Sequence, residues 1–161
     1  MHVGGTFAEI ADAEREAVAG RMPERPFVLV GQQYLADPGR SQGGVHPVWA
    51  YAHVPHAYTG DATDSVLDQI ERFAPGTRER VVSIHRRGPI ALMTHNANDV
   101  GGDIAGGANT PRQLLARPRI ALDPYATGIP GVYLCSASTP PGGGVHGMAG
   151  FHAAGSALRR R

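Results

Sequence analysis

The end of the chain carries the residues whose types and spacing are best suited to chemistry: STPPGGGVHGMAGFHAAGSALRRR, residues 138–161. Three glycines follow Pro140 and Pro141, and glycine allows positive φ and lets another group approach the backbone. The first turn of a helix beyond them would offer free N–H groups and the positive end of a dipole, which attract a phosphate or the electron-rich edge of a reduced flavin. The segment therefore predicts an anion or cofactor contact. The alternative is a glycine-rich structural turn before a tightly packed helix.

Hydrophobic periodicity in the rest of the chain predicts an α+β fold. Apolar stripes at helical spacing are interspersed with short apolar or alternating runs, and the chain ends in a strand-to-helix unit typical of an α/β sheet. The predicted helices are 4–21, 60–76, 109–118 and one that starts between Gly144 and Gly147 and runs to about Leu158. The predicted strands are 25–33, 44–56, one or two within 79–93, and a buried strand over 129–139.

Several residues have predicted structural roles within these elements. Thr6 and Glu9 have capping-box spacing, Gly20 is a helix stop, and Asp61 can cap the next helix. Cys135 is predicted to be a buried, unreactive thiol because its neighbours in the strand are apolar. Two faces are also predicted: an apolar stripe of Phe7, Ile10, Ala11, Ala17 and Val18, and a strand face of Trp49, Tyr51 and His53.

Composition bounds the class of protein. With 42% hydrophobic and 18% charged residues the chain is globular, and its net charge of +1 offers no broad basic surface for nucleic acid. The single cysteine excludes an intramolecular disulfide, no signal-peptide pattern is seen, and no apolar run nears the roughly 18 residues of a membrane helix. We therefore expect a cytoplasmic protein with no stable membrane span. The arginines at 159–161 are interpreted as a solvated tail.

Two other kinds of site are not predicted. His46, His53 and His56 lie close in sequence, but no clustered carboxylates or cysteines accompany them, so packing or substrate contacts are favoured over a metal. Hydroxyl side chains precede the glycines at Ser136, Ser138 and Thr139, but no G-x-S-x-G elbow is present, which argues against a hydrolase. No catalytic residue is assigned.

A resemblance covers nearly the whole chain. The run IPGVYLCSASTPPGGGVHGMAGFHAA resembles the C-terminal flavin-contacting motif of the phytoene dehydrogenase-like FAD oxidoreductases, the carotenoid desaturase and isomerase group. WAYAHVPHAYTGD, IERFAPGTRERV, NDVGGDIAGG and QLLARP also resemble segments that occur in this order in the last third of those enzymes. The run from Tyr133 to Ala154 is the most specific part.

The resemblance implies FAD as cofactor, held by two separated pieces. In that family an N-terminal Rossmann unit grips the adenosine and pyrophosphate, and the C-terminal strand, glycine turn and helix close over the pyrophosphate and the flavin. Residues 1–125 would be part of a substrate domain with a mixed sheet, and 126–161 the flavin-contacting segment. No G-x-G-x-x-G opens a βαβ unit with an acidic residue about twenty positions later. The Rossmann unit is therefore expected to be missing from this chain.

The same resemblance implies site residues by position. Backbone N–H groups near the flavin would come from a list of seven: Gly142, Gly143, Gly144, Val145, His146, Gly147 and Met148. Gly101, Gly102 and Asp103 would lie near the flavin or the substrate entrance, although Asp103 after two glycines is also typical of a turn or cap. For His146, a role of its side chain and a role of its backbone alone stay open.

The function implied is that of an FAD-dependent oxidoreductase fragment. The intact enzyme would move a hydride between an apolar, unsaturated small molecule and the flavin. Two alternatives stay open: a non-catalytic remnant, and a subunit of a split enzyme that needs a separate Rossmann-bearing chain. A fragment would leave apolar faces and an open strand edge, so we expect association with such a partner or as a homo-oligomer.

Overall fold

The computed structural model describes residues 1–159, and the chain divides into two compact units, Met1–His95 and Asn96–Arg161. Arg160 and Arg161, part of the predicted tail, lie outside the described residues. Residues of each unit mainly contact other residues of the same unit.

The division after His95 is N-terminal to the predicted one after residue 125. The assignment of 1–125 to a substrate domain and of 126–161 to a flavin-contacting segment stays a prediction. Within residues 1–159, none of the helices has both the length and the apolar character that crossing a bilayer requires.

The first unit contains a three-stranded antiparallel sheet in the order β1-β2-β3. Its strands are β1 (His2–Val3), β2 (Val28–Gly31) and β3 (Trp49–Ala52). Side chains alternate between the faces of a strand, so Val28 and Val30 point to the same side and form a buried core with Val3. Val28 pairs with Ala52 and Val30 with Ala50, which brings the small residues of β3 onto this core. Strands 25–33 and 44–56 are thus shorter than predicted.

The predicted aromatic face of β3 is confirmed. Trp49 and Tyr51 have ring centroids 5.1 Å apart, and Tyr51 and His53 have centroids 5.9 Å apart. His53 Nδ1 also lies 2.8 Å from a carboxylate oxygen of Glu14. The face is exposed and its histidine is held by a carboxylate of α1 (Phe7–Val18).

The capping box of α1 is confirmed. The Thr6 amide donates to Glu9 Oε2 at 2.8 Å, and the Glu9 amide donates to Thr6 Oγ1 at 3.3 Å. Gly20, at φ +81°, follows the end of the helix as predicted. Sequence spacing alone was sufficient here because both partners lie within four consecutive residues.

The predicted apolar stripe of α1 is wrong at its ends. Phe7 and Val18 are exposed, and the buried residues of the helix are Ala13 and Ala17. The buried face therefore consists of small side chains, which let a helix approach its neighbours closely.

The second helix, α2 (Thr63–Phe73), covers the sheet of this unit. The N-cap residue is Ala62, which makes no side-chain cap. The predicted cap, Asp61, lies one position earlier, and its Oδ1 accepts a hydrogen bond from the Thr63 amide at 2.9 Å. Val66 and Ile70 pack against the valine core, which explains the apolar face read from the sequence.

The strands predicted within 79–93 are not present. Residues Arg78–Arg80 form a 3₁₀ turn, Pro89–His95 form α3, and the residues between them pair with no strand in the described chain. Val82 and Ile84 are exposed, so the apolar alternation that favoured a strand has no partner to bury it.

The second unit holds two helices, α4 (Pro111–Ala116) and α5 (Met148–Arg159), and a 3₁₀ turn at Val100–Gly102. The buried strand predicted over 129–139 is not formed in residues 96–159. Instead, Tyr133 makes a single antiparallel bridge to Ala126. A strand needs a continuous ladder with a neighbour, and this segment has only that one bridge.

Candidate functional site

The turn that leads into the glycines is closed by Thr139, which is fully buried. Its amide and its hydroxyl both donate to the carbonyl of Ser136, at 2.9 and 2.8 Å. The Gly142 amide then donates to the Thr139 carbonyl at 2.8 Å. The side chain that resembled a nucleophile in the sequence thus has a structural role.

Gly142 and Gly147 are two glycines of the segment that backbone conformation requires. Gly142 has φ +100° and Gly147 has φ +65°, in the region that residues with a Cβ rarely adopt. Gly142 turns the chain out of the Thr139 turn, and Gly147 directs it into α5. The predicted glycine turn followed by a helix is therefore present, without the regular strand in front of it.

An open cavity of about 360 Å³ lies on this segment. Six of the seven predicted cofactor-contacting residues line it: Gly142, Gly143, Gly144, His146, Gly147 and Met148. Val145 is not among the lining residues, and its side chain is fully exposed. The structure adds residues not predicted as site residues: Cys135, Ser136, Ala137, Ala149 and Gly150.

The first turn of α5 forms one side of the cavity. Ala149 and Gly150 lie in that turn, where amides have no acceptor within the helix. A Cβ added at Gly150 would meet no atom within 4 Å, so the cavity stays open beside this residue. The arrangement can hold an acceptor group, such as a phosphate oxygen or a ring carbonyl, against the positive end of the helix.

The side chain of His146 has a local role. Its Nδ1 accepts a hydrogen bond from the Met148 amide at 3.0 Å. That contact requires Nδ1 without a proton, and it satisfies the first amide of α5. His146 therefore caps the helix while lining the cavity.

Gly102 and Asp103 do not line this cavity. Asp103 accepts hydrogen bonds from the amides of Ala105, at 2.7 Å, and Gly107, at 2.6 Å, and so closes a local loop. A Cβ at Gly106 would lie 3.0 Å from the Ser138 backbone nitrogen, so this loop packs directly against the turn that precedes the glycines. The carboxylate of Asp103 shapes a supporting loop, in line with the turn role that its two preceding glycines indicated.

A second set of contacts ties α5 to the turn. The hydroxyl of Tyr125 donates to the Pro140 carbonyl at 3.0 Å, and the Ser156 hydroxyl donates to Asp123. Burial, and then the neighbouring Asp123, raise the pKa of Tyr125, which keeps its hydroxyl protonated as a donor. The Tyr125 ring also stacks on His152, with centroids 5.9 Å apart.

The prediction that Cys135 is buried is wrong. Its thiol is exposed and lies at the cavity, whereas apolar neighbours predicted a buried position. The reason is the missing ladder: without a regular strand over 129–139, Leu134 and Cys135 are not sandwiched between neighbours. The thiol is therefore accessible to reagents.

Arg117 was not predicted, and it is the most buried large side chain near the cavity, with 2% of its surface exposed. Its guanidinium donates to the carbonyl of Ala137 at 2.9 Å, and a Cβ at Gly142 would lie 3.3 Å from its Nη1. No spacing rule points to it, since an arginine next to Pro118 at a helix end usually reads as a solvated residue.

A second hollow, of about 680 Å³, lies in the first unit. It is lined by Tyr58, Arg86, Arg87 and residues of α3, and holds none of the predicted site residues. Arg86 is paired with Asp61 at 3.1 Å. Two arginines at this hollow do not suit an apolar molecule, so the hollow gives no support to the predicted apolar substrate.

Known proteins similar to this chain include two mammalian proteins of the same name. It is 30% identical over 158 residues to the "Pyridine nucleotide-disulfide oxidoreductase domain-containing protein 2" of Rattus norvegicus. It is 30% identical over 154 residues to the protein of the same name from Mus musculus. The matches cover 88% of this chain but only 26% of each relative, so the chain spans about a quarter of their length. No family model matches the chain. No solved structure matches it.

Proposed function

We propose that this chain is the flavin-contacting C-terminal portion of an FAD-dependent oxidoreductase. The observation that carries the proposal is the cavity, because it gathers six of the seven residues that the family resemblance assigned to the cofactor. The two relatives named for a pyridine nucleotide-disulfide oxidoreductase domain support a redox function of the flavin oxidoreductase type. The phytoene dehydrogenase-like group, and with it an apolar unsaturated substrate, rests on the sequence motif alone.

The residues at the cavity fit a flat, partly anionic group. Gly147 and Gly150 leave open space where side chains would stand, since a Cβ at either residue would meet nothing within 4 Å. Free amides at the start of α5 can donate to phosphate or ring oxygens. When bound, FAD would supply the hydride-accepting chemistry, while this chain would contribute backbone donors and a glycine surface that permits close approach.

We test the proposal by titrating the purified chain with FAD and following flavin fluorescence and heat. We expect binding between roughly micromolar and millimolar, weak because no Rossmann unit contributes. Gly150→Leu would place a side chain in the cavity without a clash and with a better helix former, so it should keep the fold and reduce binding at least about tenfold. Ala154→Leu, which adds the same side chain at an exposed site of α5, is the matched control.

Cys135 supplies a second readout of the same cavity. Its exposed thiol should react with a thiol reagent such as DTNB in the native chain, and FAD should slow that reaction if it occupies the cavity. Equal reaction rates with and without saturating FAD, or equal affinity of Gly150→Leu and wild type, would place any flavin elsewhere. No binding at millimolar FAD would mean that the chain acts with a partner or is a remnant.

The exposed apolar surface of the second unit favours the split-enzyme alternative within this proposal. Large apolar side chains of α4, of the segment after it and of the residue after the three glycines are exposed to solvent: Leu115, Ile120, Leu122 and Val145. Such exposure is typical of a surface that another chain or segment covers. We propose a Rossmann-bearing chain as that partner, with self-association as the competing outcome in its absence.

A further inference from the structure

Arg117 forms the hub of the second unit. Its five N–H groups all find oxygens: Nε donates to Gln113 O at 3.4 Å, Nη1 to Ala105 O at 3.4 Å and Ala137 O at 2.9 Å, and Nη2 to Ala108 O at 3.0 Å and Asn109 Oδ1 at 3.2 Å. One side chain thus joins the Asp103 loop, the start of α4 and the turn before the glycines. A guanidinium has five donors, so its hydrogen-bonding capacity is full.

The charge of Arg117 has no carboxylate partner among residues 1–159. All its acceptors are neutral carbonyl or amide oxygens. Arginine cannot lose its proton in proteins, so a full positive charge is buried here with dipoles as its only compensation. Neutral packing alone would be served by an uncharged side chain, which would avoid the cost of burying an ion.

The guanidinium lies directly behind the candidate cofactor cavity. Ala137 and Gly142 both line the cavity, and Arg117 donates a hydrogen bond to the carbonyl of the first and lies beside the second. A Cβ at Gly142 would lie 3.3 Å from Nη1, so the glycine turn packs closely against the guanidinium of Arg117. Any shift of Arg117 must therefore move a wall of the cavity.

We propose that Arg117 is the positioning residue of this cofactor site: it orders the glycine turn at residues 142–147 and keeps a positive charge with no carboxylate partner in residues 1–159 behind it, which favours a negatively charged group in the cavity. The inference rests on the proposed flavin function and adds to it the residue that orders the loop. Arg117 acts through Ala137 and Gly142 and does not itself line the cavity.

The first arm of the test uses the chain without cofactor. Hydrogen exchange of the Thr139 and Gly142 amides, both bonded within the turn, should be at least about tenfold faster in Arg117→Gln, with Arg117→Lys between it and wild type. Arg112→Gln, an exposed arginine of α4, is the matched control and should leave both amides unchanged. The Phe151 amide of α5 reports whether the whole unit has opened.

The second arm measures FAD affinity and the midpoint potential of the bound flavin. In Arg117→Gln we expect affinity to fall at least about tenfold and the potential to become more negative, because the reduced, anionic ring loses a favourable field. Arg117→Lys keeps the charge and should retain most of the potential while recovering only part of the affinity.

The outcomes separate the two proposals. Unchanged exchange of Thr139 and Gly142 in Arg117→Gln overturns the positioning role, whatever the chain does with FAD. If wild type shows slow exchange of the Thr139 and Gly142 amides but does not bind FAD, flavin contact by this chain alone is overturned, and the comparison of exchange rates still decides the role of Arg117. Equal potentials in wild type and Arg117→Gln would remove the electrostatic part of the inference. If Arg117→Gln opens α5 as well, Arg117→Lys carries the comparison.

Discussion

His146 shows how one side chain can cap a helix and line a cavity at once. Its Nδ1 accepts the Met148 amide two residues on, the same i to i+2 contact that asparagine makes in an Asx turn. From the sequence, a role for this side chain and a role for its backbone alone were equally open. The hydrogen bond favours a local structural role for the imidazole.

Replacing His146 tests that cap. His146→Ala should destabilise α5 by about 1 kcal/mol, whereas His146→Asn, which keeps an acceptor at the same spacing, should cost only a few tenths. Trp49 lies in the first unit, whereas α5 lies in the second. Hydrogen exchange of the α5 amides is the suitable measurement. Equal destabilisation by both variants would contradict the capping role.

Arg117 marks the limit of residue-level prediction. The sequence indicated the glycine segment because glycine, proline and apolar periodicity are local signals. It gave no sign of Arg117, whose importance depends on carbonyls of Ala105 and Ala137, twelve and twenty positions away along the chain. Contacts between distant segments leave no periodic trace in one sequence.

At the scale of elements, local signals predicted α1, α2, α4 and α5 but missed α3, which lies where a strand was predicted. The predicted capping box of α1 is present because Thr6 and Glu9 lie three residues apart. The strand predictions over 79–93 and 129–139 failed because a strand depends on a neighbour elsewhere, and in the described chain those segments have none to form a ladder with. The apolar runs in these two segments predicted buried strands, but residues 1–159 contain no neighbouring strand that would bury them.

The cap of α1 makes stability depend on pH. Hydrogen bonds from the Thr6 amide and Thr6 hydroxyl, and then the guanidinium of Arg72 at 2.8 Å, lower the pKa of Glu9 from 4.5 to about 2. A carboxylate whose folded-state pKa is depressed contributes stability above its unfolded pKa and loses it as pH falls through the folded pKa. The contribution of Glu9 is therefore full above pH about 5 and fades towards pH about 2.

Glu9→Gln isolates this contribution. Wild type should be more stable than the variant at pH 7, and the difference should shrink as the pH is lowered below about 4.5. Urea denaturation at several pH values, followed by the fluorescence of Trp49 in the same unit, measures the difference. Glu16→Gln, a change on the same helix without a capping contact, is the control. A difference that stays constant down to pH 3 would show that the Glu9 carboxylate is not the titrating cause.

At the scale of the whole molecule, the chain forms two units whose apolar residues are only partly buried. In residues 1–159 the hydrophobic cluster of buried residues consists of three valines with small and aliphatic neighbours. In the second unit, hydrogen bonds of Arg117, Tyr125 and Thr139 join segments that are distant in sequence or close the turn before the glycines. The alignment with each of the two relatives covers only 26% of the relative's length. Apolar area left in solvent is then a driving force for association, at about 25 cal/mol per Å².

That driving force gives the last prediction. Ile120 is 90% exposed, and Leu122 is fully exposed, so the purified chain should self-associate, and the double variant Ile120→Ser, Leu122→Ser should weaken association by at least about tenfold. Leu35→Ser, a change at an exposed site of the first unit, should not. Sedimentation velocity over a range of concentrations measures the effect. A monodisperse wild-type monomer with one cooperative melt would contradict this prediction. It would mean that the exposed apolar side chains do not need to be covered for the chain to fold and stay soluble. The split-enzyme form of the proposal would then fail, because it expects the chain to depend on a partner that covers this surface.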